Sequence, residues 1–146
     1  MNLHHVGISV SDLEQSMAFY RRHFGMELAV PVFPFDGPMI EDIQDLPGAS
    51  GRLGVLRRGD FMLELFEYAA PRPAPKDALH SVGDHGISHF GIMVDGIEAL
   101  VAAMHSEGVH FHSPIQTFPS GMKAAYGRDP DGNVFELVEQ GPAPAR

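Results

Sequence analysis

The sequence predicts an α+β fold made of one βαβββ module used twice. Two observations carry this expectation. Residues 5–14 read HVGISVSDLE and residues 89–98 read HFGIMVDGIE, so His, Gly, Ile, Val and Glu recur 84 positions apart. LELFE at 63–67 then matches FELVE at 135–139, which sets Glu64 over Glu136 and Glu67 over Glu139. Two matched segments in the same order imply duplicated modules.

Each module can be read element by element. Residues 3–10 and 87–94 alternate and are rich in β-branched side chains, the pattern of a strand. Ser11 with Glu14, and Asp95 with Glu98, have the spacing of a capping box that opens a helix. Leu13, Met17, Tyr20 and Phe24 form one apolar helical face that ends at Gly25, and Ile97, Leu100, Val101 and Met104 form another that ends at Gly108. Short strand candidates follow each helix: ELAV, RLGVLRR and FMLELFEY in the first half, VHFHSP, KAAYG and NVFELVEQ in the second. Asp129-Pro130-Asp131-Gly132 is a strong turn signal between the last two. The division is residues 1–70 for the first module, 71–86 for a proline-bearing linker with a stiff, extended path, 87–140 for the second module and 141–146 for a tail, all in one compact domain.

Residues 31–51, PVFPFDGPMIEDIQDLPGASG, break the symmetry. Long loops on compact scaffolds are often lids or binding loops. This one connects strands of the first module next to Glu64 and is expected beside the cavity mouth, with Gly37, Gly48 and Gly51 permitting closure.

Composition narrows the function. At 146 residues the chain can bury a sizeable core without staples. It has no cysteine, which removes disulfides, thiolate metal sites and cysteine nucleophiles and fits a reducing compartment. A net charge of −9 with only Lys76 and Lys123 as lysines argues against nucleic acid, whose binding rests on phosphate neutralisation. No apolar run approaches the roughly 18 residues of a membrane span, and no signal-like region precedes the first strand pattern. The expectation is a cytoplasmic protein with a small-molecule ligand and no nucleic-acid or membrane partner.

Strand parity exposes the chemistry. Side chains alternate between the faces of a sheet. Val6, Ile8 and Val10 share a face suited to the helices, which leaves His5, Gly7 and Ser9 on the other. Phe90, Ile92 and Val94 oppose His89 in the same way. Glu64 opposes Leu63 and Leu65, and Glu136 opposes Phe135 and Leu137. Two imidazoles and two carboxylates therefore leave the sheet away from the helices, in strands otherwise apolar enough to be central. A carboxylate there is costly unless paired or coordinated, and two with two histidines make an N₂O₂ set suited to a divalent ion. A lone strand histidine or glutamate is more often structural, but here each occurs at equivalent positions in both halves. His4, whose repeat partner is Ser88, reads as structural on the opposite face. His80 and His85 in the linker and His23 and His105 on the helices read as solvated, while His110 and His112 are candidates for lining the cavity.

LHHVGISVSDLEQSMAFYRRHFGMEL resembles the opening of glyoxalase I, methylmalonyl-CoA epimerase and extradiol dioxygenase modules, and ISHFGIMV and DPDGNVFELVE resemble second-module motifs of the same vicinal-oxygen-chelate superfamily (glyoxalase, bleomycin resistance, dioxygenase). The resemblance implies a curved, eight-stranded mixed sheet around a metal cavity, with helices on its outer face, in a homodimer. It places the ligands of one divalent ion (Ni, Co, Zn, Mn or Fe) on His5, Glu64, His89 and Glu136. This four-residue set resembles that of bacterial glyoxalase I and, closely, of epimerases. Extradiol dioxygenases resemble it at His5, His89 and Glu136 only, and bleomycin-binding members typically lack the ligands.

The activity so implied is that of a metal-dependent lyase, isomerase or epimerase that chelates two vicinal substrate oxygens and moves a proton next to a carbonyl through an enediolate-type intermediate. Glu136 or Glu64 is its base, with Glu136 favoured. An Fe(II) extradiol-type dioxygenase and a non-catalytic antibiotic-binding protein of the same fold are the alternatives. Glutathione and CoA esters are anionic, whereas the 31–51 loop carries Asp36, Glu41, Asp42 and Asp45. Arg52, Arg57, Arg58, Lys123 and Arg128 read mostly as solvated charges at strand ends.

Overall fold

A computed structural model describes residues 3–74 and 76–141. The chain divides into two compact units, Met1–Pro75 and Lys76–Arg146. Residues 142–146 of the expected tail lie outside the described residues. Among those described, no helix is long and apolar enough to cross a membrane.

In the first unit the order is β1 (Val6–Ser9), α1 (Leu13–Phe24), β2 (Glu27–Leu28), β3 (Phe33–Phe35), α2 (Pro38–Gln44), β4 (Ser50–Arg58) and β5 (Phe61–Ala70). The sheet runs β1-β5-β4-β2, with β3 also paired to β4. β1 lies parallel to β5, because α1 carries the chain back before the next pairing, and β4 and β5 form an antiparallel hairpin about Gly59 and Asp60. In the second unit β6 (Phe90–Met93), α3 (Ile97–Ser106), β7 (Gln116–Thr117), β8 (Lys123–Arg128) and β9 (Val134–Glu139) follow the same plan, in the order β6-β9-β8-β7. Backbone pairing thus stays within each repeat. The described strands number nine rather than eight: residues 33–35 add β3 beside β4, and the VHFHSP candidate forms only an isolated bridge between Phe111 and Gly127, with β7 lying beyond it.

The expected helical faces pack against the sheets. Leu13, Met17, Tyr20 and Phe24 of α1 are buried, as are Leu56, Leu63 and Leu65 of the sheet. Gly54 lies where a Cβ would press on Met17 and Leu13, so its bare backbone lets helix and strand approach. In the second unit Ile97 and Met104 pack with Phe135 and Leu137, all fully buried.

The helix starts differ from the capping boxes read in the sequence. Asp12, not Ser11, is the N-cap of α1, its Oδ1 accepting from Gln15 N at 2.9 Å. The N-cap of α3 is Gly96, with no capping side chain. Instead, a strand carboxylate reaches the first N–H of each helix: Leu13 N donates to Glu67 Oε1 at 3.1 Å, and Ile97 N to Glu139 Oε2 at 2.8 Å. Each of these glutamates also holds a cation. Arg52 Nε donates to Glu67 at 2.7 Å, and its Nη1 lies 3.3 Å from Glu14. Lys123 Nζ donates to Glu139 at 2.9 Å and Glu98 at 2.6 Å. The repeated Glu67/Glu139 and Glu14/Glu98 positions are therefore one duplicated network that ties each helix to its sheet.

Arg52 and Lys123 are consequently ion-paired, Arg52 while remaining exposed. Arg58, also exposed, donates through Nη1 to the Phe24 carbonyl at the end of α1 at 2.5 Å. Arg128 is buried and donates to the carbonyls of Ala78 at 3.0 Å, Gly132 at 2.9 Å and His80 at 2.7 Å. It fastens residues 78–80 to the β8–β9 turn, so this stretch of the expected extended linker is docked. His80, read as solvated, is partly buried in that contact, its Nδ1 also 3.1 Å from Asp77 O. The turn itself forms as expected, with Asp129 Oδ1 accepting from Asp131 N and Asn133 N.

The Ile97 N–H, then Lys123, hold the Glu139 carboxyl below the usual carboxylate range. The unfolded chain, with its carboxyl near the ordinary value of about 4.3, then binds the proton first as pH falls. Stability from this contact is present above that value and is lost as pH drops through the lower folded value. Urea unfolding midpoints measured from pH 6 down to pH 3 should therefore decline less steeply in Glu139→Gln than in the parent. An identical slope would mean that the contact carries no proton linkage.

Candidate metal centre

The candidate ligands occupy equivalent places in the two units. His5 immediately precedes β1 and His89 immediately precedes β6, while Glu64 and Glu136 lie within β5 and β9. Gly7 is in register with Glu64, and Gly91 with Glu136. The repeated glycine leaves the face beside each carboxylate without a side chain. His5 Nε2 lies 3.5 Å from Glu64 Oε2, and His89 Nε2 lies 3.3 Å from Glu136 Oε2. Among the described residues no three His, Asp or Glu side chains are arranged to hold a metal ion together. What each unit supplies is a pair.

Both pairs share a second feature. The ring nitrogen turned away from the carboxylate is held by the preceding residue, His5 Nδ1 by His4 Nδ1 at 2.8 Å and His89 Nδ1 by Ser88 Oγ at 2.8 Å. His4 therefore bears on its neighbour's ring rather than standing apart as a structural residue on the opposite face. The His4–His5 contact needs one ring to donate and the other to accept, which couples their tautomers. In each unit Nε2 is the nitrogen that faces the glutamate. Glu64 and Glu136 are partly buried, at 20% and 21% side-chain exposure, whereas His5 is more open at 41% than His89 at 27%.

The sequence reading missed Tyr126. It pairs with Glu136 across the β8–β9 hairpin, and its hydroxyl lies 3.2 Å from His89 Nε2, with the ring centroids 4.6 Å apart. Burial first, and the Glu136 charge second, raise its phenol above the ordinary pKa. The signal was available, because the Asp129–Gly132 turn fixes which residue faces Glu136. In the first unit the corresponding partner of Glu64 is Val55. His112 stacks edge-on to Tyr126 at 5.9 Å and tilts against His110 at 5.9 Å, so these two continue the row of rings away from His89. Burial, then the nearby Arg128, lower the His112 pKa.

Residues 31–51 pack on the Glu64 face. Phe33 and Phe35 of β3 are in register with Leu53 and Gly51 of β4, which share parity with Val55, the partner of Glu64. Phe35, Leu53 and Val55 are buried together, with Ile40 of α2 and Met62, Phe66 and Tyr68 of β5 packed against them. The segment is thus a built wall that includes a helix. Gly37 and Gly48 flank α2 at φ 89° and 75°. Gly51 is no hinge, since a Cβ there would overlap the Glu67 backbone and the Phe35 ring. An open cleft of about 580 Å³ lies between Ser11, Asp36, Arg52 and Tyr68, away from the four candidate ligands.

Comparisons with known proteins bear on the family and the fold. The Glyoxalase/Bleomycin resistance protein/Dioxygenase superfamily matches residues 2–137. A 2-epi-5-epi-valiolone epimerase of an Actinomyces species is 32% identical over 147 residues, covering 93% of this chain and 78% of that protein. A lactoylglutathione lyase of Arabidopsis thaliana is 28% identical over 143 residues, covering 96% of this chain but 44% of that enzyme, so the chain spans less than half its length. A solved glyoxalase family protein from Bacillus cereus shares the fold with a TM-score of 0.88 over 97% of this chain and 95% of that one, at 17% identity. The chain belongs to the glyoxalase/bleomycin resistance protein/dioxygenase superfamily.

Proposed function

We propose that the two His–Glu pairs together hold one divalent ion, and that the protein is an isomerase, lyase or epimerase moving a proton next to a carbonyl of a small substrate with two vicinal oxygens. The observation that carries this is the equivalence of the pairs, His5 with Glu64 and His89 with Glu136, each with Nε2 facing a carboxylate oxygen. The donor chemistry fits: imidazole nitrogen and carboxylate oxygen suit Zn, Mn, Fe, Co and Ni, and two carboxylates neutralise a divalent charge. A bound ion would polarise the substrate carbonyl as a Lewis acid.

The residues of this chain supply the rest. His4 and Ser88 orient the two imidazoles by holding Nδ1, the role that outer partners of ligating histidines serve. Glu136 is the general base, taking the proton from the carbon next to the carbonyl and returning it to the neighbouring position. Tyr126, beside His89 and in register with Glu136, supplies a hydroxyl that can donate to a substrate oxygen. The pairing of Glu64 with His5 favours the four-ligand set over a three-ligand dioxygenase, in which Glu64 stands free of the metal.

Metal analysis after titration with each candidate ion should give one equivalent per chain, and removing the ion with a chelator should lower the melting temperature, since a ligand at a hundred times its Kd stabilises by about 2.7 kcal/mol. Glu136→Gln conserves volume and should keep the fold while weakening metal binding on the order of tenfold or more and abolishing deuterium exchange at the carbon next to the substrate carbonyl. Exchange at the parental rate in the loaded variant would transfer the base to Glu64.

Ser88→Ala and His4→Ala remove only the partner of a ligating ring. Each should lower metal affinity by roughly 10–100-fold without shifting the unfolding midpoint of the metal-free protein. Unchanged affinity in both would remove the orienting role.

The reading includes a homodimer, since β1 and β6 each stand at one edge of their sheet and an open edge invites pairing. Sedimentation at micromolar concentration should give twice the chain mass of 15.9 kDa. A monomer would remove the dimer and leave the ligand assignment to the metal titration.

A further inference from the structure

We infer that the substrate is a small, uncharged molecule whose non-reacting body is aromatic or otherwise apolar, and that this body rests on the ledge beside Glu64 in the first unit. The inference depends on Glu64 being a metal ligand and adds the class of molecule the centre accepts.

The ledge follows from register. Met62 and Phe66 flank Glu64 at two-residue spacing along β5 and share its face, and Tyr68 continues the row. α2 closes over them through Ile40. Met62, Phe66, Tyr68 and Ile40 are each only half-buried, so they still offer apolar surface. Phe66 is the member nearest the ligands: its ring lies 3.5 Å from where a Cβ on Gly7 would sit, and Gly7 is the register partner of Glu64. A flat, partly exposed ring at the rim of a polar centre suits an aryl or alkyl group.

Charge excludes the common anionic carriers. The strands of this unit carry three cations, Arg52, Arg57 and Arg58. Arg52 and Arg58 reach Glu67 and the end of α1, on the helix side. Arg57 shares the Glu64 face but stands directly opposite Glu27 across β2 and β4. α2, PMIEDIQ, carries Glu41 and Asp42 without a cation, between Asp36 and Asp45. A glutathione or CoA tail brought over this wall would meet like charge, and like-charge juxtaposition is an effective discriminator against wrong partners.

The test is calorimetric titration of the metal-loaded full chain with three probes: 2-hydroxyacetophenone, hydroxyacetone, which has the same two oxygens without the ring, and S-lactoylglutathione. The aryl ketone should bind at least about tenfold tighter than hydroxyacetone, and S-lactoylglutathione no tighter than hydroxyacetone. Phe66→Ala should bring the two ketones within about twofold. Ile40→Ser on α2, outside the strand core, should reduce the same preference. Tightest binding of the thioester, equal binding of the two ketones, or no binding of the aryl ketone by a metal-loaded protein would overturn the inference alone. A chain that takes up no metal would overturn the metal reading and this inference with it.

Discussion

A strand can present only every second side chain to one face, and both units depend on that parity. LELFE and FELVE each place two glutamates three residues apart, so the two must leave by opposite sides. Glu64 and Glu136 emerge on the face opposite α1 and α3, toward His5 and His89. Glu67 and Glu139 emerge among the apolar side chains under the helices, where a carboxylate must find partners. They find the first N–H of α1 and α3, together with Arg52 and Lys123. A one-residue slip of β5 or β9 would exchange these roles and leave a carboxylate against the wrong surface. The same residues that fix the register thereby fix which glutamates are available for chemistry.

Helix capping by a strand carboxylate does more than satisfy orphan donors. Because Glu67 touches the start of α1 and lies on β5, the strand next to the edge strand β1 that follows His5, the β1–α1 connection is constrained at both ends. β1 follows β5 in parallel register up to Ser9, and Val10 N donates to Phe66 O at 2.9 Å before the chain turns into the helix. The second unit repeats this with Val94 N and Val138 O at 2.9 Å. Each histidine is therefore set by a strand whose exit is pinned, and its ring by the residue before it. Positioning by rigid elements with a supporting partner is what a coordination site requires.

Most of this was legible wherever it was local. Alternation and repetition located the first strands, the apolar faces of α1 and α3, the final hairpin and the four candidate ligands. Contacts spanning tens of residues were not legible. Ser11 has the spacing of a capping box, yet Asp12 takes the cap and Glu14 turns to Arg52, because a cation from a distant strand competes for it. Arg128 reads as a solvated strand end, but its partners are carbonyls fifty residues earlier in the chain. α2 was hidden in a segment rich in proline, glycine and acid. Pro38 is in fact tolerated at a helix start, and seven residues are too few for a helical period to declare itself. Tyr126 was the one omission that parity alone could have repaired.

Duplication explains what the units share, and the chemistry depends equally on where they differ. The shared part is the pair: His, Gly and Glu in register, with Nδ1 held from the preceding position. The partner of the glutamate on the next strand has diverged, Val55 in the first unit and Tyr126 in the second. One unit therefore surrounds its carboxylate with Met62, Phe66 and the α2 wall, while the other places a phenol hydroxyl against its histidine. The two repeated carboxylates therefore stand in unlike surroundings, one beside apolar side chains and the other beside a phenol hydroxyl and its histidine.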